Sequence, residues 1–305
     1  MNIEERSFIT LDVFTNRRFG GNPLGLLPDA TGLDDATMQR IAAEVNLSET
    51  VFIHRQTDSD IPLLRIFTPA SELPFAGHPT VGAAIYLAEE HGFGDGSTLT
   101  MRTPAGDVAA AISRSDAKLT FAEITAPQKA VCRPAVSAEA CAAALSLTPA
   151  DIPFPPRVCD AGNPFTVIPV GSREALSRAT LNHDAWRKGP GAGEAPKLFI
   201  VYMDDWQNGR DVHARMFAPS IGIAEDPATG SAAVALAALL NELQSPTEGE
   251  HIWQVWQGDD MGRPSLMKVR AVVENGNVES AHVGGTAVRV IAGSIRVDQE
   301  PAASA

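Results

Sequence analysis

Two short stretches of this sequence set a glycine directly before an apolar run, a pattern suited to binding an anion. They are Phe75-Ala76-Gly77-His78-Pro79-Thr80 and Asp226-Pro227-Ala228-Thr229-Gly230-Ser231. A helix starting at each would offer backbone N–H groups without intrahelical partners and a partial positive charge. Gly77 and Gly230, lacking Cβ, let a ligand approach that backbone closely. Two such ends facing across a pseudo-twofold axis would hold a small anion, most simply a carboxylate. Ordinary capping competes with this account, with Thr80, Asp226 or Ser231 satisfying the N–H groups. The recurrence of the arrangement at equivalent places favours the ligand.

Four side chains near these turns have chemistry to offer. His78 lies in the first turn, where its cation is disfavoured, so the neutral ring is expected to donate or accept a hydrogen bond. Asp226 and Ser231 flank the second turn, and a carboxylate there could accept the hydroxyl proton and orient Ser231. No histidine accompanies that pair locally, which weakens a serine-hydrolase reading. Glu49, in Asn46-Leu47-Ser48-Glu49-Thr50-Val51-Phe52, falls between a helix end and a β run. Partly buried, it would relay protons near neutrality; exposed, it would be an ordinary loop glutamate.

The elements that position these residues can be read from periodicity. Ser7–Thr15, Thr50–His54, Leu63–Phe67, Lys197–Met203 and Asp211–Phe217 are strand-like, rich in β-branched and aromatic residues. Met38, Ile41, Ala42 and Val45 mark an amphipathic helix over 34–45. Helices from about Thr80 and over Ser231–Leu243 are apolar nearly all round, which implies burial on all sides. The stretch 182–196 reads as a loop, and Pro-Ala-Ala-Ser-Ala at 301–305 as a frayed tail.

These elements repeat. Gly21-Asn22-Pro23-Leu24 recurs as Gly162-Asn163-Pro164-Phe165, and Arg65-Ile66-Phe67-Thr68-Pro69 as Arg215-Met216-Phe217-Ala218-Pro219. Gly77 is matched by Gly230. Gly-Asn-Pro alone is a common turn sequence, but three anchors in one order at nearly one separation argue for duplication. The expected architecture is two similar halves, each wrapping short strands round a buried helix.

Composition narrows the function classes. The chain has 305 residues, 44% of them apolar, and a net charge of −13. That charge disfavours nucleic acid as a partner, since no basic excess exists to neutralise phosphates. No segment approaches the roughly 18 uninterrupted apolar residues of a membrane span, and the N-terminus lacks a signal-type apolar stretch. The three cysteines, Cys132, Cys141 and Cys159, fit no disulfide framework. A cytoplasmic protein is expected. There is no phosphate loop and no His-Glu-x-x-His helix. Gly92-Phe93-Gly94-Asp95-Gly96 follows a helix, which rules it out as a dinucleotide fingerprint. The other histidines lack ligand spacing, so no metal is expected.

The run Thr68-Pro69-Ala70-Ser71-Glu72-Leu73-Pro74-Phe75-Ala76-Gly77-His78-Pro79-Thr80 resembles the signature of the phenazine-biosynthesis PhzF-like isomerases. So do Phe19-Gly20-Gly21-Asn22-Pro23, Asn46-Leu47-Ser48-Glu49-Thr50 and Glu225-Asp226-Pro227-Ala228-Thr229-Gly230-Ser231-Ala232. Gln257-Gly258, followed by Gly262-Arg263-Pro264-Ser265, is similar to the family's late motif. The resemblance runs from about residue 7 to 298.

It implies an α+β, diaminopimelate-epimerase-like fold: two pseudo-symmetric domains, each a β-barrel round a central helix. The expected boundaries are 1–126, completed by a C-terminal strand near 287–298, and 127–286, with the active-site cleft between them. It also implies a homodimer and a cofactor-independent isomerase acting on a small cyclic carboxylic acid, like trans-2,3-dihydro-3-hydroxyanthranilate. Glu49 would be the general acid/base, assisted by His78, Asp226 and Ser231, with Gly77 and Gly230 supplying backbone contacts to substrate.

A related branch of that fold uses two cysteines as opposed acid and base, where this chain has Ala76 and Thr229. Neither carries an ionisable thiol, so that mechanism is excluded. Two other readings stay open: an epimerase or racemase using Glu49 with His78 or Asp226 as unlike bases, and a non-catalytic protein that binds a small ligand.

Overall fold

The computed structural model describes residues 2–56, 59–114 and 119–299, so the tail at 301–305 lies outside the described residues. The protein is mixed α+β, with seventeen strands and six α-helices among the described residues. It divides into two compact units, Met1–Ile124 with Thr286–Ala305, and Thr125–Gly285.

The first unit holds β1 (Asn2–Val13), β2 (Asn22–Leu27), α1 (Asp35–Val45), β3 (Glu49–Gln56), β4 (Ser59–Phe67), β5 (Glu72–Leu73), α2 (Gly77–Glu90), β6 (Thr98–Thr103), β7 (Gly106–Arg114) and β8 (Thr120–Thr125). The second holds β9 (Val131–Pro134), α3 (Ala138–Ala144), β10 (Arg157–Asp160), β11 (Phe165–Pro169), α4 (Arg173–Arg178), α5 (His183–Lys188) and β12 (Leu198–Tyr202). It continues through β13 (Asp211–Ala218), β14 (Ile223–Asp226), α6 (Gly230–Gln244), β15 (Gly249–Gln257) and β16 (Ser265–Glu274). The last strand, β17 (Asn277–Gln299), is long enough to serve both units in turn.

The order of pairings is the same in the two units. In the first, the end of β17 pairs antiparallel with β1, β1 antiparallel with β2, and β2 parallel with β3. Then β3 meets β4 antiparallel, β4 meets β6 parallel, and β6, β7 and β8 follow antiparallel. In the second, β9, β10 and β11 are antiparallel and β11 is parallel to β12. Antiparallel β12–β13, parallel β13–β15, and antiparallel β15–β16 and β16–β17 complete it. The repeated sequence anchors fall at matching points, at the starts of β2 and β11, the ends of β4 and β13, and the first residues of α2 and α6.

Each unit encloses one helix. In α2 every residue from Gly77 to Ala88 is buried, and in α6 Gly230 and all from Ala232 to Leu240 are buried. The helix α2 packs against β1, β2, β3, β6 and β7, and α6 against β9, β10, β11 and β16. Closeness needs small residues: a Cβ on Gly82 would lie 2.5 Å from Leu24 Cδ2 and 2.8 Å from Val13 Cγ2. By contrast α1 lies on the surface. It buries Met38, Ile41 and Ala42, and the side chain of its N-cap Asp34 accepts from Thr37 N–H.

The stretch 182–196 departs from the loop expected there. Asn182 accepts from Ala185 N–H and starts α5, with Asp184 in its first turn and Arg187 and Lys188 in its last. Capping and charge placement outweigh the nearby glycines, which begin only at Gly189. No helix is long and apolar enough to cross a membrane among the described residues.

Candidate active site

In the first unit the parallel pairing of β2 with β3 sets Glu49 beside Leu24, at the very start of β3. The strand then continues into buried Thr50, Val51 and Phe52, and Glu49 itself is only 13% exposed. It is not the exposed loop residue that its place between a helix end and a β run also allowed. The helix α2 packs on both of these strands and starts at Gly77, three residues before the expected Thr80. His78 is therefore its second residue, and Pro79 occupies a first-turn position where a missing N–H costs nothing.

This puts His78 Nε2 3.5 Å from Glu49 Oε2. His78 is 6% exposed, and burial pushes its pKa down to about 3 against a partly opposing hydrogen bond to the Pro23 backbone. The ring is thus neutral at physiological pH. Nε2 has no hydrogen-bond partner, so the bond to the Pro23 carbonyl comes from Nδ1–H, leaving a lone pair on Nε2 toward Glu49.

In the second unit the turn before α6 is braced by Gln257, at the end of β15 and 1% exposed. Its Nε2 donates to the Asp226 carbonyl at 2.7 Å and to Thr229 Oγ1 at 3.1 Å, and its Oε1 accepts from Thr229 N–H at 3.2 Å. Thr229 Oγ1 donates in turn to Asp226 Oδ2 at 2.5 Å. Gly258 follows with φ +81°, where a Cβ would strike the Arg263 and Pro227 carbonyl oxygens at 2.3 and 2.7 Å. The Gln257-Gly258 motif thus serves to lock the turn holding Asp226.

The structure brings Glu49 and His78 together as a close pair. Asp226 takes its hydroxyl hydrogen bond from Thr229, whereas Ser231 Oγ accepts from Asn163 Nδ2 at 3.4 Å. Neither Ala76 nor Thr229, the N-cap residues of α2 and α6, makes a side-chain capping bond. Thr80 Oγ1 donates backwards to the Ala76 carbonyl at 2.7 Å, so it is not a cap either.

Three residues beyond those picked out by sequence lie beside Asp226 and Ser231 or their partners in the second unit. Gln257 and Thr229 were within recognised motifs but had no assigned role. Lys197, whose Nζ donates to Asn163 Oδ1, was missed, and nothing local distinguishes it from a surface lysine. Its Nζ sits 4.3 Å from the Phe165 ring centre, and burial lowers its pKa to about 8.

A cavity of about 280 Å³ in the second unit, lined by Arg173, Leu176, His213, Trp256 and Asp259 among others, contains none of the six predicted site residues. The cysteines are also remote from chemistry. Cys141 is fully buried, its thiol pushed up to about 12, and Cys132 and Cys159 face each other across β9 and β10 with Sγ atoms 2.8 Å apart. No group of three or more His, Cys, Asp or Glu is placed to hold a metal ion among the described residues.

With a carboxyl and a neutral imidazole 3.5 Å apart at a glycine-headed helix and the same strand order built twice, the comparisons with known proteins point to one class. The profile of the phenazine biosynthesis-like family, PhzC-PhzF, matches residues 11–293, and the chain belongs to that family. It is 40% identical over 312 residues to an uncharacterized isomerase of Mesorhizobium japonicum, covering 96% of this chain and 99% of that one. It is 34% identical over 281 residues to the trans-2,3-dihydro-3-hydroxyanthranilate isomerase of Pseudomonas aeruginosa, covering 91% and 95%. A PhzF-family phenazine biosynthesis protein of Bacillus anthracis superposes with a TM-score of 0.86 at 26% identity, covering 96% and 99%. The protein is an isomerase of the PhzF type.

Proposed function

We propose that the protein shifts a double bond in a small cyclic carboxylic acid by moving one proton between two carbons, with Glu49 as general acid/base. The observation that carries this reading is the buried Glu49–His78 pair, 3.5 Å apart. The Glu49 carboxylate takes a proton from one ring carbon, and the electron pair of that C–H bond moves into the ring. The same proton is returned at the far end of the shifted system, so the reaction needs no co-reactant. Burial keeps bulk water from the carboxyl, and the fixed geometry replaces a bimolecular encounter. A neutral His78, anchored on Pro23, offers Nε2 as an acceptor that can hold the proton-bearing form of Glu49.

Gly77 and Gly230 head helices without side-chain caps, which leaves backbone N–H groups for a carboxylate. Asp226 and Ser231 enter the proposal through the motif resemblance, Asp226 held by Thr229 and Gln257. The absence of any organic cofactor or metal from the reaction belongs to the same proposal, as does closure of each unit into a barrel. Packing of α2 against both β1 and β7, far apart in the strand order, supports that closure. The kinship to trans-2,3-dihydro-3-hydroxyanthranilate isomerases supports that compound as substrate.

The test is turnover of trans-2,3-dihydro-3-hydroxyanthranilate in D₂O by the wild type and Glu49→Gln. Conversion by the wild type alone, with a migrated double bond, is expected. Inversion at one carbon without migration would overturn the reading in favour of an epimerase, and an active Glu49→Gln would remove Glu49 from the chemistry.

A further inference from the structure

The duplicated strand order allows residues of the two units to be matched by register rather than by sequence alone. Gly21-Asn22-Pro23-Leu24 aligns with Gly162-Asn163-Pro164-Phe165, so Gly25 corresponds to Thr166. In the parallel β2–β3 pair Gly25 stands beside Thr50, and in the parallel β11–β12 pair Thr166 stands beside Leu198. Thr50 therefore corresponds to Leu198, and one residue earlier Glu49 corresponds to Lys197. On the helices, Gly77 matches Gly230, so His78 corresponds to Ser231. Where one unit sets a carboxylate against an imidazole, the other sets an ammonium toward a hydroxyl.

A specific hydrogen-bond chain fills the second arrangement. Lys197 Nζ donates to Asn163 Oδ1, and Asn163 Nδ2 donates to Ser231 Oγ at 3.4 Å. An ammonium has donors only, which turns the amide oxygen of Asn163 toward it and the amide NH₂ toward Ser231. The serine oxygen is then occupied as an acceptor, and its own hydrogen is left to donate outward. The Asp160 carboxylate acts on Lys197 through space and partly offsets its burial, while its hydrogen bond goes to the neutral Asn163 amide.

We propose that Lys197 is a positioning residue that acts through Asn163 to fix Ser231 as a hydrogen-bond donor to the anionic group of the substrate. The inference rests on the isomerase reading above and extends it to selectivity: the substrate must present a hydrogen-bond acceptor, as a carboxylate does, and not a donor-only group such as an ammonium, at the head of α6. Its position on the matched register gives a reason for a lysine at a strand start to lie half-buried against Phe165 instead of reaching solvent.

Steady-state kinetics on trans-2,3-dihydro-3-hydroxyanthranilate with Lys197→Met, Ser231→Ala and the double variant test the relay. One charge-assisted hydrogen bond is worth about tenfold, so Lys197→Met should raise KM about tenfold with kcat within about threefold. The double variant should bind no worse than Ser231→Ala, because the effect of Lys197 passes through that hydroxyl. Effects that add in full, or a loss confined to kcat, overturn the relay. Asn163→Asp is a second variant that should fold, since the new carboxylate pairs with Lys197. It gives Ser231 an acceptor instead of a donor, turns the hydroxyl inward, and should raise KM at least as much; a wild-type KM overturns the proposal.

A wild type that leaves the compound unchanged defeats the proposed reaction, and the relay is then judged by binding. Benzoate should raise the Tm of the wild type where benzylamine, which as its ammonium has no acceptor, does not at the same concentration, and Lys197→Met should lose the benzoate shift. A benzoate shift equal in both proteins, or absent from the wild type, overturns the relay on its own.

Discussion

His78 donates from Nδ1 to the carbonyl of Pro23, and this one bond decides what its other nitrogen can do. Pro23 has no N–H to offer, so the contact is possible only with a proton on Nδ1. Nε2 is left as the acceptor that faces Glu49. Because Pro23 belongs to the repeated Gly-Asn-Pro turn, the tautomer is set by a backbone atom that substitution of side chains does not move.

Glu49→Gln should leave the fold intact and reduce turnover by about 10³-fold or more, the range lost when a positioned acid/base is removed. The amide introduced by this substitution can still donate to Nε2 of His78, so a urea midpoint within error of wild type is expected alongside the lost rate. A variant that unfolds earlier would assign Glu49 a structural role instead.

The buried ring also makes stability depend on pH. Its folded pKa, about 3, lies below the ordinary histidine value near 6.5. Between those limits the unfolded chain binds more protons than the native one, so stability is complete above about pH 6.5 and falls as pH drops toward 3. Between pH 6.5 and 5 the loss should be on the order of 1–2 kcal/mol. His78→Asn, which keeps a donor for Pro23, should show a smaller loss over that interval in paired urea titrations, and an unchanged pH slope would contradict the assignment.

Arg215 is a structural counterpart to this chemistry. It forks onto Glu225 at 2.8 and 2.9 Å and donates to the carbonyls of Leu176, Ser177 and Ala179, at the end of α4. Arg215→Met leaves a half-buried carboxylate and three carbonyls without this partner, and should cost about 3 kcal/mol by chemical denaturation. Arg187→Met, which removes only an exposed pair with Asp184, should cost less than about 0.5 kcal/mol. Equal losses would show that burial is not what gives Arg215 its weight.

Packing between α2 and its strands has little slack. Gly82→Val would drive two methyl groups toward Leu24 and Val13, where even a Cβ is too close. A destabilisation of about 2–3 kcal/mol is expected from overpacking, seen as a lower Tm with an unchanged far-UV spectrum. A neutral result would mean that the helix can move off β1 and β2 freely.

Much of this was legible in the sequence because the signals were local. The turns around Gly77 and Gly230, the all-apolar helices after them and the repeated Arg-containing strands announce themselves through spacing. What escaped depends on pairings between distant segments. Glu49 falls between a helix end and a β run, a place that suits a loop as well as a strand start, and its burial comes from β2 and α2, distant in sequence. Lys197 follows a loop and precedes an apolar strand, and only the parallel register of β12 against β11 shows that it matches Glu49. The helix α5 was hidden by the glycines behind it, although Asn182 and the charges on its ends were visible. The partners of Asp226 and Ser231 were misjudged for a simpler reason: residues five apart across a helix start need not face one another, and Thr229, three residues from Asp226, was nearer.

The long strand β17 has a consequence for how the chain is made. Its residues up to Gly284 pair with β16, and those from Ala287 onward pair with β1 as far as Gln299 and Asn2, with one register shift between Thr10 and Leu11. A ribosome that has released only the first 285 residues has delivered the whole second unit, but not the strand that covers the free edge of β1. The unit encoded first is therefore the unit completed last, the reverse of the usual order in which domains emerge and fold. Until then β1 presents unsatisfied backbone groups to neighbouring nascent chains, and residues 287–299 of β17 are what withdraw it from aggregation.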